Sequence, residues 1–308
     1  MREVGGGAQG TGVGTGAALV DNARDAGLDP LLLVSNPECR LLEWAPEKKQ
    51  MSMGPRLHVD QHCLNVSGAA FALNEGAARH VQVLRLQPGD QVRLFDGVGG
   101  EWAAEVLEMG RKVVQVRVTE ALDNDRELPV RVTLAVGMPA NDRMDALIEK
   151  ATELGAHAIQ PLVCARSVLR LDGERAAKKV AHWQAVAVSA SEQCGRAVVP
   201  QVHPVQALAP WLRSQAEVAA GAEVEVVRGV LSLRDAQASR QWLESAAMAQ
   251  TPCRDWVFLS GPEGGLSQEE EGLALSLGWT AVSLGRRVLR ADTAPLAMLS
   301  VIGTRLEG

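Results

Sequence analysis

From residue 130 to the C-terminus, short apolar runs alternate with longer amphipathic ones, and this alternation restricts the fold more than any other feature. "VRVTLAVGMP" reads as a buried strand. "NDRMDALIEKATELG" reads as a helix capped by Asn141, with Met144, Leu147, Ile148, Ala151 and Leu154 on one face and Gly155 as its stop. "AIQPLV" is a second strand, and "GERAAKKVAHWQAVAVSASEQCG" is a long helix ended by Gly195. After a less regular stretch come "VEVVRGVLSL", a helix around "DAQASRQWLESAA", the strand "WVFLS", a helix from Ser267, the strand "TAVSLG" and a last helix from about Asp292. Each helix returns the chain across the sheet, so successive strands pair in parallel. The expected class is α/β, with helices on both faces of a largely parallel sheet.

Residues 53–127 carry a different pattern. "DQVRLFDG", "EWAAEVLEM" and "KVVQVRVTE" alternate apolar and polar residues, with "VGG" as a hairpin turn between the first two. "LNEGAARHVQVLRL" reads as one helix with Asn74 as N-cap, followed by the turn "QPGD". Several short strands and one helix in this length predict a small β-barrel. "NDRELP" is a polar linker, which puts a second domain at 128–308. Residues 1–52 begin with a glycine-rich run and read as a flexible extension. Met51 and Met53 just ahead of "GPRLHVD" offer an alternative translation start.

Composition removes several function classes. No run approaches the ~18 uninterrupted apolar residues of a membrane span, and "MREVGGGAQGTGVGTGAALV" lacks the flanks of a secretory signal. Cys39, Cys63, Cys164, Cys194 and Cys253 form no C-x-x-C pair, and the six histidines have no metal spacing. The expectation is a cytoplasmic protein without metal. A net charge of −6, no tyrosine and three phenylalanines argue against nucleic-acid binding by bulk charge or by a stacking platform. An RNA partner would need local basic patches.

Two glycine loops stand out near the C-terminus. "SGPEGGLSQEE" follows a strand and precedes a helix that Ser267 and Glu270 open as a capping box, an arrangement that aims backbone N–H groups at a ligand. It matches neither a P-loop nor G-x-G-x-x-G. About twenty residues on, "LGRRVLRADTAPLAML" repeats the strand–glycine–helix order, and two such loops can close around one ligand at the carboxyl edge of a sheet. Arg286, Arg287 and Arg290 lie in the second loop. Arg290 sits beside Val288 and Leu289, where an idle cation would be costly, and is therefore the functional candidate.

"EKATELGAHAIQPLVCARSV", "SEQCGRAVVPQV", "LSGPEGGLSQEE" and "LGRRVLRADTAPLAML", in this order, resemble the bacterial ribosomal RNA small-subunit methyltransferase E family of the SPOUT class. "PRLHVD…LNEGAARHVQVLRLQPGDQVRLFDG" resembles that family's small N-terminal domain. The resemblance covers about residues 55–305 and leaves 1–52 unmatched. It implies a PUA-like β-barrel followed by a SPOUT-type domain with a C-terminal deep trefoil knot at about 255–305. It also implies homodimerisation and bent S-adenosylmethionine held by the two loops. Carried over, the cofactor-binding candidates are Leu231, Leu259, Gly261, Leu284, Gly285 and Leu289, with Gly264 and Gly265 shaping the loop. Arg286, Ala291 and Asp292 depart from the family's usual proline, threonine and glutamate. The implied reaction is methylation of N3 of a uridine in 16S ribosomal RNA, within the assembled small subunit. Arg290 is the catalytic candidate, stabilising the base as its proton leaves, and Glu263 and Asp292 are candidate bases. Arg56, Arg85, Arg166, Arg170, Arg196 and Arg287 are candidate RNA contacts. Two alternatives stand beside this reading: a SPOUT enzyme acting on another RNA, and an RNA-binding or assembly factor whose cofactor site has decayed.

Overall fold

The computed structural model describes residues 54–59, 68, 70–110, 113–140, 142–221, 226–247 and 255–307. The N-terminal extension, the two candidate start methionines, the Asn141 cap and Cys39, Cys63 and Cys253 lie outside the described residues. Residues 52–308 belong to one compact unit.

The first part contains β1 (Arg56–His58), β2 (Ala70–Ala72), α1 (Glu75–Val83), β3 (Gln91–Phe95), β4 (Glu101–Met109) and β5 (Val114–Leu122). Its five strands form one sheet in the order β1-β3-β4-β5-β2, with β1 parallel to β3 and the other pairs antiparallel. In β5 the burial strictly alternates at first, so Val114, Val116 and Val118 face the core while the residues between them face water. Register shifts at Ala103/Ala104 and Val106/Glu108 mark irregularities that bend the long β4–β5 hairpin. Helix α1 starts where Asn74 Oδ1 accepts from Ala77 N at 2.9 Å, and it lays Ala77, Ala78 and Val81 onto the sheet.

The second part contains β6 (Arg131–Gly137), α2 (Asp142–Glu153), β7 (Ala158–Val163), α3 (Gly173–Cys194), β8 (Gln201–Val202), β9 (Gln206–Ala207) and α4 (Leu208–Gly221). It continues with β10 (Val226–Leu231), β11 (Gln237–Ala238), α5 (Ser239–Ala247), β12 (Asp255–Ser260), α6 (Gln268–Ser276), β13 (Thr280–Ser283) and α7 (Thr293–Glu307). The eight strands form a parallel sheet in the order β11-β13-β10-β12-β6-β7-β8, with β9 also on β7. Strand alternation divides the core in two. Val132, Leu134 and Val136 of β6 and Trp256 and Phe258 of β12 pack under α2, α3, α5 and α7. Ala135, Val257 and Leu259 pack under α4 and α6 with Trp211, Leu212 and Ala274. Helix α4 falls in the stretch that periodicity left irregular; Pro210 sits in its first turn, where a missing N–H costs nothing, and Trp211 and Leu212 anchor it.

The two parts are joined at the C-terminal end of α3, and this corrects two sequence expectations. Arg56, a candidate RNA contact, is 5% exposed. Its Nε and Nη2 donate to the two oxygens of Glu101 at 3.0 and 3.1 Å, and Nη1 donates to Ser191 O at 2.6 Å. Its Nη2 also reaches Arg196 O at 3.1 Å, and the guanidinium lies 4.5 Å over the Phe95 ring. Arg196, a second candidate, is 3% exposed: it pairs with Glu127 and donates from Nη1 to Thr152 O and Ala156 O, each at 2.8 Å. Neither guanidinium can face a phosphate. Arg56 sits at the C-terminal end of α3 and Arg196 at the C-terminal end of α2, the negative ends of the two helix dipoles, where cations are favoured. "SEQCGR" is thus the latch between the two parts. Gly195 ends the helix at φ 92°, a left-handed conformation that glycine accepts most readily.

Candidate functional site

The carboxyl ends of β10, β12 and β13 open onto one cleft of about 540 Å³, within the range usual for small-ligand sites. Its walls are the ends of three strand-to-loop turns. Leu231–Arg234 forms one, Ser260–Leu266 the second, and the run from Leu284 through Ala291 most of the third. Of the expected cofactor residues, Leu231, Gly261, Gly264, Gly265, Leu284, Gly285 and Leu289 all line it. Leu259 does not. It is fully buried, and strand alternation turns it to the α4–α6 side, so Ser260 lines the wall instead.

The glycines are needed for two separate reasons. A Cβ on Gly261 would lie 2.7 Å from Leu266 N and 2.9 Å from Gly265 C, so the turn cannot close around a side chain. Gly265 and Gly285 have φ of +67° and +107°, with no atom near their absent Cβ. They supply backbone shape and leave space open. Beneath the loop, Gly137 at the end of β6 was not singled out by sequence; a Cβ there would lie 2.5 Å from Pro262 Cδ and 2.6 Å from Pro262 N.

The polar lining is richer than the sequence suggested. Arg143, Arg166, Arg234, Arg287 and Arg290 border the cleft, against the carboxylates Glu263 and Glu271. This surplus of guanidinium groups is a local basic patch on a chain of net charge −6, which removes the objection to an anionic partner. Glu271 also hydrogen-bonds the Ser232 hydroxyl. Its position in "QEEEG" reads as dipole-favoured helix-start acid, and nothing in one sequence separates that role from a place on a cleft wall. Arg143, the second residue of α2, is likewise missed because its ion-pair partner Glu263 lies 120 residues away in the chain.

The catalytic candidates fare differently. Arg290 lines the cleft, but not for the reason of an apolar setting: Val288 beside it is 81% exposed. Glu263 lines the cleft with its carboxylate engaged, Oε1 accepting from Ala140 N at 2.9 Å and lying 3.6 Å from Arg143 Nη1. Asp292 stands just before α7, outside the set of cleft-lining residues. Arg287 is exposed at the cleft, Arg85 and Arg170 are exposed elsewhere, and Arg166 turns its guanidinium to the carbonyls of Gly264 and Leu266. Burial, with the charge of Glu270, pushes the Cys164 thiol up to about 12, so it stays protonated behind the loop. Glu149 and Glu153 both bind Lys150 on an exposed helix face, at 2.7 and 2.8 Å. Among the described residues no cluster of three potential metal ligands occurs, and no helix is long and apolar enough to cross a membrane.

A parallel α/β unit with a glycine-lined cleft at its strand ends, joined to a small strand-rich unit, is the setting for a match to the RNA methyltransferase class. Residues 126–303 match the family of the RNA methyltransferase domain, and residues 73–119 match the RNA methyltransferase PUA domain. Ribosomal RNA small subunit methyltransferase E of Bacillus subtilis is 34% identical over 77% of this chain and 91% of its own length. The Synechocystis protein of the same name is 33% identical over 91% of this chain and 88% of its own length. The chain belongs to the ribosomal RNA small subunit methyltransferase E family. The Synechocystis match is longer than residues 53–308 can supply, so it takes in part of the N-terminal 52 residues, which were expected to match nothing. Among solved structures, the Neisseria gonorrhoeae member bound to S-adenosylmethionine has a TM-score of 0.70, 34% identity, and covers 82% of this chain and 97% of that one. A Legionella pneumophila methyltransferase with bound S-adenosylmethionine has a TM-score of 0.71 at 31% identity, with the same coverage of both chains.

Proposed function

We propose that the cleft binds S-adenosylmethionine and that the protein methylates N3 of a uridine in 16S ribosomal RNA. The observation that carries this reading is that loops about twenty residues apart, with the end of β10, wall a single cavity bordered by arginines. The residues present fit that cofactor. Leu231, Leu284 and Leu289 offer apolar walls, Gly265 and Gly285 leave open space for close approach, and the Ser232–Glu271 pair offers polar contacts. The crossing of the two loops as a deep trefoil knot over about 255–305 is part of the same proposal.

When bound, S-adenosylmethionine supplies an electrophilic methyl on a sulfonium. Transfer would break the bond from that methyl to sulfur as the bond to uridine N3 forms, leaving S-adenosylhomocysteine, and the N3 proton would pass to water. Most of the rate comes from holding the two reacting atoms in line. Arg290, exposed at the border of the cleft, offers a permanent positive charge to the uracil oxygens as they gain negative charge, and it cannot serve as the base. Glu263 serves the loop instead, because its carboxylate accepts from Ala140 N. Arg287, with Arg85 and Arg170, contributes to the RNA path. The protein acts in the cytoplasm as a homodimer on 16S ribosomal RNA within the assembled small subunit. Mass spectrometry of 16S ribosomal RNA from a deletion strain tests this: one N3-methyluridine disappears, and an unchanged modification profile rejects the substrate.

A further inference from the structure

The glycine loop after β12 is gripped by a side chain from a distant segment. Arg166, in the turn after β7, donates from Nη1 to Gly264 O at 2.9 Å and to Leu266 O at 3.3 Å. One residue earlier, Ala165 N donates to Glu270 Oε1 at 2.7 Å, while Glu270 Oε2 accepts from Ser267 N at 2.9 Å. The approach is close, since a Cβ on Gly264 would lie 3.0 Å from Arg166 Cβ. The turn itself is set by Cys164 N donating to Ser167 Oγ at 2.9 Å, with Ser167 only 7% exposed. Arg166 therefore projects from a fixed base.

We propose that Arg166 is a positioning residue for the cofactor, acting through the carbonyls of Gly264 and Leu266. This rests on the reading that the cleft takes S-adenosylmethionine. The loop contains two adjacent glycines and would sample many conformations if left alone, each of which must be abandoned when a ligand binds. A guanidinium holding two carbonyls removes that cost before binding, and a charged donor makes stronger bonds to carbonyls than a neutral one. Arg166 also stands among the other arginines of the cleft border, where a direct phosphate contact is the rival role. The two roles differ in what they change: a loop brace sets cofactor affinity, and a phosphate contact sets RNA affinity and its salt dependence.

The test compares wild type with R166A, R166Q and R166K. Cofactor Kd is measured by calorimetry with S-adenosylmethionine, KM and kcat with 30S subunits, and RNA affinity at several salt concentrations. Removing the brace is expected to raise cofactor Kd and KM on the order of tenfold, with kcat at saturating cofactor nearly unchanged. RNA affinity and its salt slope stay at wild-type values, and R166K, which can still reach one carbonyl, recovers part of the loss. If R166A does not fold, R166Q and R166K carry the same comparison. Unchanged cofactor Kd, or a salt slope reduced by about one with cofactor affinity intact, overturns the proposal. A wild-type protein that fails to bind the cofactor sinks the functional reading and this inference together; binding by wild type and R166A alike sinks this inference alone.

Discussion

Replacing Arg56 by Met should destabilise the protein by about 3–5 kcal/mol, the usual cost of removing one partner from a buried ion pair. The structure places the effect in that range. Glu101 is 4% exposed, and after the substitution only Asn124 and the more distant Arg93, at 3.6 Å, would still face its carboxylate. Ser191 O and Arg196 O would lose a donor as well. With a urea m-value of about 3 kcal/mol/M, the midpoint should fall by roughly 1–1.7 M. A surface control, R240A, removes a pair whose arginine side chain is 91% exposed and should change little. The pH dependence gives a second check. Burial opposes ionisation of Glu101, but hydrogen bonds from Arg56 and Asn124 and the charges of Arg56 and Arg93 outweigh it and hold the carboxyl below the usual 4.5. Its contribution is therefore complete above that value and is lost as pH falls through the folded-state value. In R56M the carboxyl can protonate and escape part of the penalty, so the difference between variant and wild type should shrink between pH 7 and pH 4. A loss below about 1 kcal/mol, or a difference independent of pH, would refute the assignment of Arg56 to the junction.

R290A should retain cofactor affinity and lose about 10²–10³-fold in kcat, the scale for removing one preorganised charge donor; unchanged turnover by single-turnover assay removes Arg290 from the reaction. G137A should force Pro262 to move, costing about 1–3 kcal/mol in stability and weakening cofactor binding by calorimetry; wild-type affinity would show that the loop does not depend on this contact. His157 is held below the usual 6.5 by burial and by the charges of Arg131 and Arg196, and His203 by burial alone. Both favour the folded state above 6.5 and oppose it as pH falls through their folded values. Thermal denaturation should show Tm declining below about pH 6.5, with the decline shallower in H157Q/H203Q. Cys164 should resist iodoacetamide in the native protein at pH 8, when read by peptide mass spectrometry; rapid labelling would contradict its buried, raised-pKa setting.

The sequence determined the local features of this protein. Asn74 caps α1, Ser267 and Glu270 form both halves of a capping box, and Met144, Leu147, Ile148 and Ala151 are all buried on one face of α2. These depend on residues three or four apart, where spacing alone fixes geometry. The two glycine loops were legible for the same reason. The fate of the arginines was decided only in three dimensions. Arg56 and Arg290 look alike in the chain, yet one is buried against acceptors 45, 135 and 140 residues away and the other borders the cleft. Leu259 and Leu231 are both apolar strand-end residues, and only sheet alternation and the helices covering each face separate core from cleft wall. A charged or apolar side chain takes its role from the partners that folding brings to it, and those partners come from segments no local pattern connects.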